Sequence, residues 1–163
     1  MDDAADIYQA IDQQRDYLGE WLPFVGFTTK VEVTQAFISS VLKVPVEERE
    51  CVFTIRKEGH FIGVIGFRDT DKANRKTEMG YWLLKEHQGH GIMTQAVAKL
   101  CEFAFEKLAL NRVQIKCAVG NVPSRKIPQR LNFTYEGIER AGERFSEKVY
   151  YDLEVYSKLK CDN

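Results

Sequence analysis

The chain has 163 residues, 44% of them hydrophobic and 29% charged. That is the size and composition of one folded domain with its own core, which argues against global disorder, collagen-like repeats and a disulfide-stapled miniprotein. Its 23 basic and 24 acidic residues give a net charge of −1, leaving no basic excess for a run of phosphates, so a dedicated nucleic-acid-binding role is disfavoured. The longest apolar stretch, Phe61-Ile-Gly-Val-Ile-Gly-Phe67, falls far short of the about 20 residues that cross a bilayer. The start, Met1-Asp-Asp-Ala-Ala-Asp-Ile7, is acidic and lacks the basic and apolar regions of a signal peptide. Cys51, Cys101, Cys117 and Cys161 are widely spaced with no C-x-x-C pair, and read as reduced thiols of a cytoplasmic protein rather than zinc ligands or disulfides.

In chain order, Asp3 to about Tyr17 reads as a helix, with Ile7, Ala10, Ile11 and Leu18 at helical spacing. An aromatic-rich connection, Trp21-Leu-Pro-Phe-Val-Gly-Phe27, leads to a second helix over Thr34–Lys43 that ends before Pro45. Cys51–Arg56 and Phe61–Phe67, separated by Glu58-Gly-His60, predict an antiparallel hairpin, and Thr77–Leu84 predicts a third strand. A long helix over Gly91–Leu108 carries an apolar stripe of Met93, Val97, Leu100, Ala104 and Leu108. Val113, Ile115, Cys117 and Val119 alternate with Gln114, Lys116 and Ala118 as a strand. A short helix over Ser124–Leu131 follows, then strands over about Phe133–Gly142 and Val149–Lys158. The predicted architecture is one central sheet, mostly antiparallel at first, with helices on its faces.

The chemistry concentrates in Tyr81-Trp-Leu-Leu-Lys-Glu-His-Gln-Gly-His-Gly-Ile-Met-Thr94, a strand running through a glycine-bearing turn into a long helix. Glycine permits a sharp turn and close approach of a ligand. A helix N-terminus offers unpaired N–H groups and the positive end of the dipole, a setting for phosphate or diphosphate. By itself G-x-G also fits an ordinary strand-to-helix turn. The P-loop is absent, because no Gly-Lys-Ser/Thr follows. A dinucleotide fingerprint fails as well: Thr94 holds its third glycine position, and Asn111-Arg112 stands where its acidic residue belongs.

The same turn resembles the signature Gln/Arg-x-x-Gly-x-Gly/Ala of the GNAT superfamily of acetyl-CoA-dependent N-acyltransferases, here Glu86-His-Gln-Gly-His-Gly91, with Glu86 departing from the usual residue. The chain is most similar to the Rim-type ribosomal-protein N-acetyltransferase branch. Asn74–Trp82, Gly89–Thr94, Leu110–Val113, Gly120–Gly137 and Tyr151–Ser157 carry the resemblance, in order, between residues 74 and 157. It implies a single GNAT-fold domain over residues 1–163. Such chains begin with a short strand that is missing before Asp2-Asp-Ala-Ala5. The fold then either tolerates its loss or exposes a sheet edge for pairing with another subunit.

The resemblance further implies acetyl-CoA, and no metal, in a gap between splayed parallel strands at about 77–84 and 112–119. The pantetheine arm bonds backbone near Leu83 and Leu84. The diphosphate sits on amides of Gln88, Gly89, His90, Gly91, Ile92, Met93 and Thr94. Asn121 and Ser124 lie near the arm and thioester. An amine must be neutral to attack a thioester: at pH 7 an α-amine of pKa about 7.7–8 is roughly 10–20% neutral and a lysine amine under about 0.1%. A base helps, a proton donor serves the leaving thiolate, and a backbone N–H serves the oxyanion. Glu78 is the first candidate base, against a solvated or ion-paired strand glutamate, and Glu143 the second. Ser124 is the candidate acid, against a helix N-cap. No tyrosine stands among Lys126, Ile127, Pro128 and Gln129, and Pro128 removes one helical N–H. Tyr150, Tyr151 and Tyr156 read as sheet packing. His87 and His90 lack a third metal ligand. Trp21, Phe24 and Phe27 are either an acceptor-side wall or core. The expected reaction is acetyl transfer by direct attack in a ternary complex, onto a protein N-terminus such as a ribosomal protein's or onto a small amine. No nucleic-acid or membrane partner is expected, and related proteins suggest a homodimer. The competing readings are a non-catalytic CoA-binding or protein-interaction module and a nucleotide-binding enzyme.

Overall fold

A computed structural model describes residues 3–45 and 48–162; Met1 and Asp2, which open the acidic stretch noted above, lie outside the described residues. The helices are α1 (Asp3–Gln13), α2 (Arg15–Gly19), α3 (Val31–Lys43), α4 (Ile92–Glu106) and α5 (Val122–Arg130). The strands are β1 (Val52–Lys57), β2 (His60–Asp71), β3 (Lys76–Leu83), β4 (Arg112–Ala118), β5 (Thr134–Arg144) and β6 (Tyr150–Leu159). They form one sheet in the order β1-β2-β3-β4-β6-β5. Every neighbouring pair is antiparallel except β3 and β4. This is the mixed sheet flanked by helices that the pattern predicts.

The β1–β2 hairpin turns on two residues, since Lys57 pairs with His60. Glu58 and Gly59 both have positive φ, 51° and 84°, the combination whose twist matches a hairpin. The long helix keeps its stripe: Met93, Val97, Leu100 and Ala104 are buried against the sheet. Leu108, the last predicted member, lies beyond the helix end and is exposed. Val113, Ile115 and Cys117 of β4 join the same core with Met79, Leu83 and Tyr156. The opposite face is covered by α1 and α2, where Ile11 and Leu18 pack with Val25 and reach Trp82.

The predicted first helix is two. It breaks at Gln14, whose backbone (φ −129°, ψ 33°) is not helical. Its side chain is committed elsewhere: Oε1 accepts the Lys85 N–H at 2.9 Å, and Nε2 donates to Glu86 at 2.5 Å. Arg15 then donates to the carbonyls of Val25 at 3.1 Å and Thr28 at 2.6 Å. That holds the aromatic connection, which contains a single 3₁₀ turn over Pro23–Gly26. The second predicted helix starts three residues early, at Val31, and leaves Phe37 and Leu42 exposed. Among the described residues no strand precedes α1, and β1 is an edge strand with Val52 and Phe53 exposed. All four cysteines are free. No helix among the described residues is long and apolar enough to cross a membrane.

β4 and the following strand pair are tied by a fork. Arg112 donates to both oxygens of Glu136, at 2.6 and 2.5 Å, and Ser157 adds a third bond at 2.8 Å. These donors hold the Glu136 carboxyl down to about 2 from its ordinary 4.5, the Arg112 hydrogen bond being the largest cause. A depressed carboxylate stabilises the fold above its unfolded pKa, and that stability is lost as pH falls through the folded one. Between pH 4.5 and 2 the melting temperature of the wild type therefore falls more steeply than that of Glu136→Gln, as followed by circular dichroism.

Candidate active site

Strands β3 and β4 pair at only three positions, Lys76 with Arg112, Thr77 with Val113 and Glu78 with Gln114. Beyond Glu78 they part. The Leu84 N–H donates to the Ile62 carbonyl at 2.9 Å, so its backbone faces β2 and not the gap, contrary to its expected role. Strand alternation turns the backbone groups of Leu83 and Tyr81 the other way, toward the space left by β4. A cavity of about 350 Å³ occupies that space, lined by Tyr81, Leu83, the Gln88–Thr94 turn apart from His90, helix α5, Tyr17 of α2 and Trp21 just beyond it.

The turn has the form that the sequence predicts. Gly89 and Gly91 hold positive φ of 78° and 76°. A Cβ at Gly89 meets nothing within 4 Å, and one at Gly91 meets only Gln95 Nε2 at 4.0 Å, so backbone conformation rather than crowding calls for glycine. Helix α4 has no side-chain cap. Its first internal bond is the Gln95 N–H to Gly91, at 3.0 Å. The amides of Ile92, Met93 and Thr94 are thus free of helical partners at the cavity wall. His87 lines the cavity, whereas His90 is exposed outside its lining. Two cations that sequence reasoning missed, Lys126 and Arg130, line it from α5. Among the described residues no cluster of three His, Cys, Asp or Glu is placed to hold a metal.

At the inner end Asn121, not Ser124, caps α5: its Oδ1 accepts the Ser124 N–H at 3.2 Å. The Ser124 hydroxyl stands 3.4 Å from the phenol oxygen of Tyr81, which donates to the Ser124 carbonyl at 3.2 Å. Burial raises the Tyr81 phenol above its ordinary range, so it keeps its proton. The search for a tyrosine along α5 missed it because it arrives from β3, on the face set by Met79 and Leu83. Cys117, also in this region, is pushed up to about 12 by burial and remains a thiol.

Glu78 points to the opposite face and does not line the cavity. It is 4% exposed and accepts from Arg68 Nε at 2.6 Å and Gln114 Nε2 at 3.1 Å, with Lys116 Nζ at 3.6 Å. A carboxylate so enclosed is held by its neighbours and stands apart from the cavity, as the ion-paired strand glutamate of the alternative reading does. Glu143 lies on that same face, half-buried on β5 opposite Tyr151. Trp21 lines the cavity and stands 6.2 Å from Tyr151, which in turn stands 4.7 Å from Phe145. Phe24 and Phe27 are exposed and lie outside the cavity lining. Tyr156 packs in the core as expected, but Tyr150 is exposed.

The donor set fits coenzyme A: free amides and cations for its diphosphate, strand backbone for its amide-bearing arm, and hydroxyls at the inner end. Substituting Gly91→Ala forces a side chain into the left-handed region at about 1–2 kcal/mol. Calorimetric titration with coenzyme A is expected to show binding weakened by about fivefold or more, with the cavity otherwise intact.

A family model described as an acetyltransferase (GNAT) domain matches residues 1–134. The chain is 36% identical over 159 residues to the "Putative ribosomal N-acetyltransferase YdaF" of Bacillus subtilis, covering 97% of this chain and 86% of that protein. It is 31% identical to the ribosomal-protein-serine acetyltransferase of Escherichia coli, over 94% of this chain and 85% of that one. The crystal structure of the microcin C7 self-immunity acetyltransferase MccE, in complex with acetyl-CoA and AMP, superposes with a TM-score of 0.89 at 29% identity, covering 96% and 86% of the two chains. With the gap, the amide-lined turn and these matches together, the chain belongs to the GNAT acetyltransferase family and moves an acetyl group from acetyl-CoA to an amine.

Proposed function

We propose that the acceptor is the α-amino group of a protein N-terminus. On this reading the amine attacks the thioester directly in a ternary complex, with Glu143 as general base and Ser124 as proton donor. The observation that carries it is the placement of unlike groups around one gap. The Ser124 and Tyr81 hydroxyls lie at its inner end, on the side of α5. Trp21 lines the gap and stands against Tyr151, the strand partner of Glu143. Names of relatives support a protein acceptor, since those from B. subtilis and E. coli refer to ribosomal proteins.

The chemistry divides accordingly. An α-amine is already roughly 10–20% neutral at pH 7, so a half-buried carboxylate acting directly or through one water suffices to remove the remaining proton. As the C–N bond forms, Glu143 takes that proton. As the C–S bond breaks, the Ser124 hydroxyl gives a proton to the thiolate, and the phenol of Tyr81 stands next to it. The Leu83 and Tyr81 amides facing the gap hold the cofactor arm. Trp21 and Tyr151 give an apolar wall to the residue that bears the amine.

The test is thiol release from acetyl-CoA with peptides bearing free N-termini, with lysine peptides blocked at the N-terminus, and with small amines, followed by mass spectrometry. Acetylation is expected at the α-amine. Ser124→Ala and Glu143→Gln are each expected to lower kcat on the order of a hundredfold. Release with small amines alone would remove the protein acceptor from this reading.

A further inference from the structure

We propose that Arg68, anchored by the buried carboxylate of Glu78, is a positioning residue that fixes the Glu143 carboxylate at the acceptor side of the gap; this rests on Glu143 being the base.

Glu78 needs a reason to exist. Burying a carboxylate is costly, and a buried ion pair is weak evidence of stabilisation because an apolar pair of similar volume often does as well. Yet Glu78 sits at the last paired position of β3 and β4, directly opposite Arg68 of β2. The guanidinium turns one edge to it, through Nε at 2.6 Å and a terminal nitrogen. A guanidinium is planar and its donors diverge in fixed directions. With that edge held, the remaining terminal nitrogen, Nη1, is aimed by geometry and not by a flexible stem. It faces Glu143, at 4.0 Å.

The second cation on this face leaves Arg68 to that task. Lys116 also touches Glu78, at 3.6 Å, but its close partner is Glu139, at 2.7 Å. Two cations thus share one buried carboxylate and take one outer carboxylate each. Strand β5 is shaped to present both. Glu139 pairs with Leu153 and Glu143 with Tyr151, so four residues on β5 run against two on β6. The bulge turns through Ala141 at φ 50°, whose N–H is held by Asp152 at 2.7 Å. Glu139 and Glu143, four residues apart, share one face by strand alternation, and the bulge sets which residues of β6 they stand beside.

The measurement is a double-mutant cycle on kcat, using thiol release with the free-N-terminus peptide that gives the highest rate. Arg68→Met is expected to lower kcat by on the order of tenfold to a hundredfold, the cost of a misplaced catalytic group, leaving the KM for acetyl-CoA unchanged. In Glu143→Gln the same substitution is expected to change kcat by no more than about twofold, because nothing remains to position. Arg68→Lys, which keeps the charge but loses the fork, is expected to recover part of the loss. Arg68→Met leaves Glu78 short of a partner inside the sheet, so the cycle is repeated with Glu78→Gln in every arm, removing the charge together with its partner. Equal losses with and without Glu143 would overturn the positioning role while leaving Glu143 as base. An unchanged kcat in Arg68→Met would do the same. An unchanged kcat in Glu143→Gln would overturn the assignment of the base and this proposal with it.

Discussion

Two parallel strands that pair for three residues and then separate govern the rest of this structure. A strand pair satisfies its backbone groups mutually, so strands that diverge leave N–H and C=O groups facing a space, and buried ones need partners. Here the diverging edge of β3 meets the unpaired amides of α4 across the same cavity. One ligand with an amide-bearing arm and a diphosphate answers both needs. The cofactor site is therefore a defect in a sheet next to a helix start, and no dedicated pocket of side chains is required to build it.

Strand alternation then separates two sets of polar side chains. Along β3, Met79, Tyr81 and Leu83 face α4 and α5, while Glu78 and Trp82 face α1 and α2. Hydroxyls accordingly collect at the inner end of the cavity, where Tyr81 meets Ser124. Carboxylates collect on the other face with Arg68 and Lys116.

What the sequence disclosed follows from how local each signal is. The stripe on α4, the alternation in β4 and the Glu58-Gly59 turn are each encoded within a few residues, and they appear where expected except at the last members, Leu108 and Val119, which lie beyond the element ends and are exposed. The turn at Gly89 and Gly91 was legible for the same reason. The ion-pair partners of Glu78 were not legible, because they depend on Arg68, ten residues away, and Lys116, 38 residues on, coming together through strand register. The break at Gln14 depends on a bond to the backbone of Lys85, 71 positions along. Tyr81 is near Ser124 only because β3 and α5 flank one gap. None of these pairings leaves a periodic trace.

The short helix α2 ties the glycine turn to the last strand. Tyr17 accepts a hydrogen bond from Gln88 of the turn before α4, while Trp21, just beyond the helix, leans on Tyr151. Gln14, at its start, holds Lys85 and Glu86 just before that turn. A helix of five residues has little stability of its own, so its place is set by these contacts and by Arg15 on Val25 and Thr28. The α1–α2 break, which no propensity explains, is what lets the Gln14 side chain reach Lys85 and Glu86 while the residues after it turn toward β6.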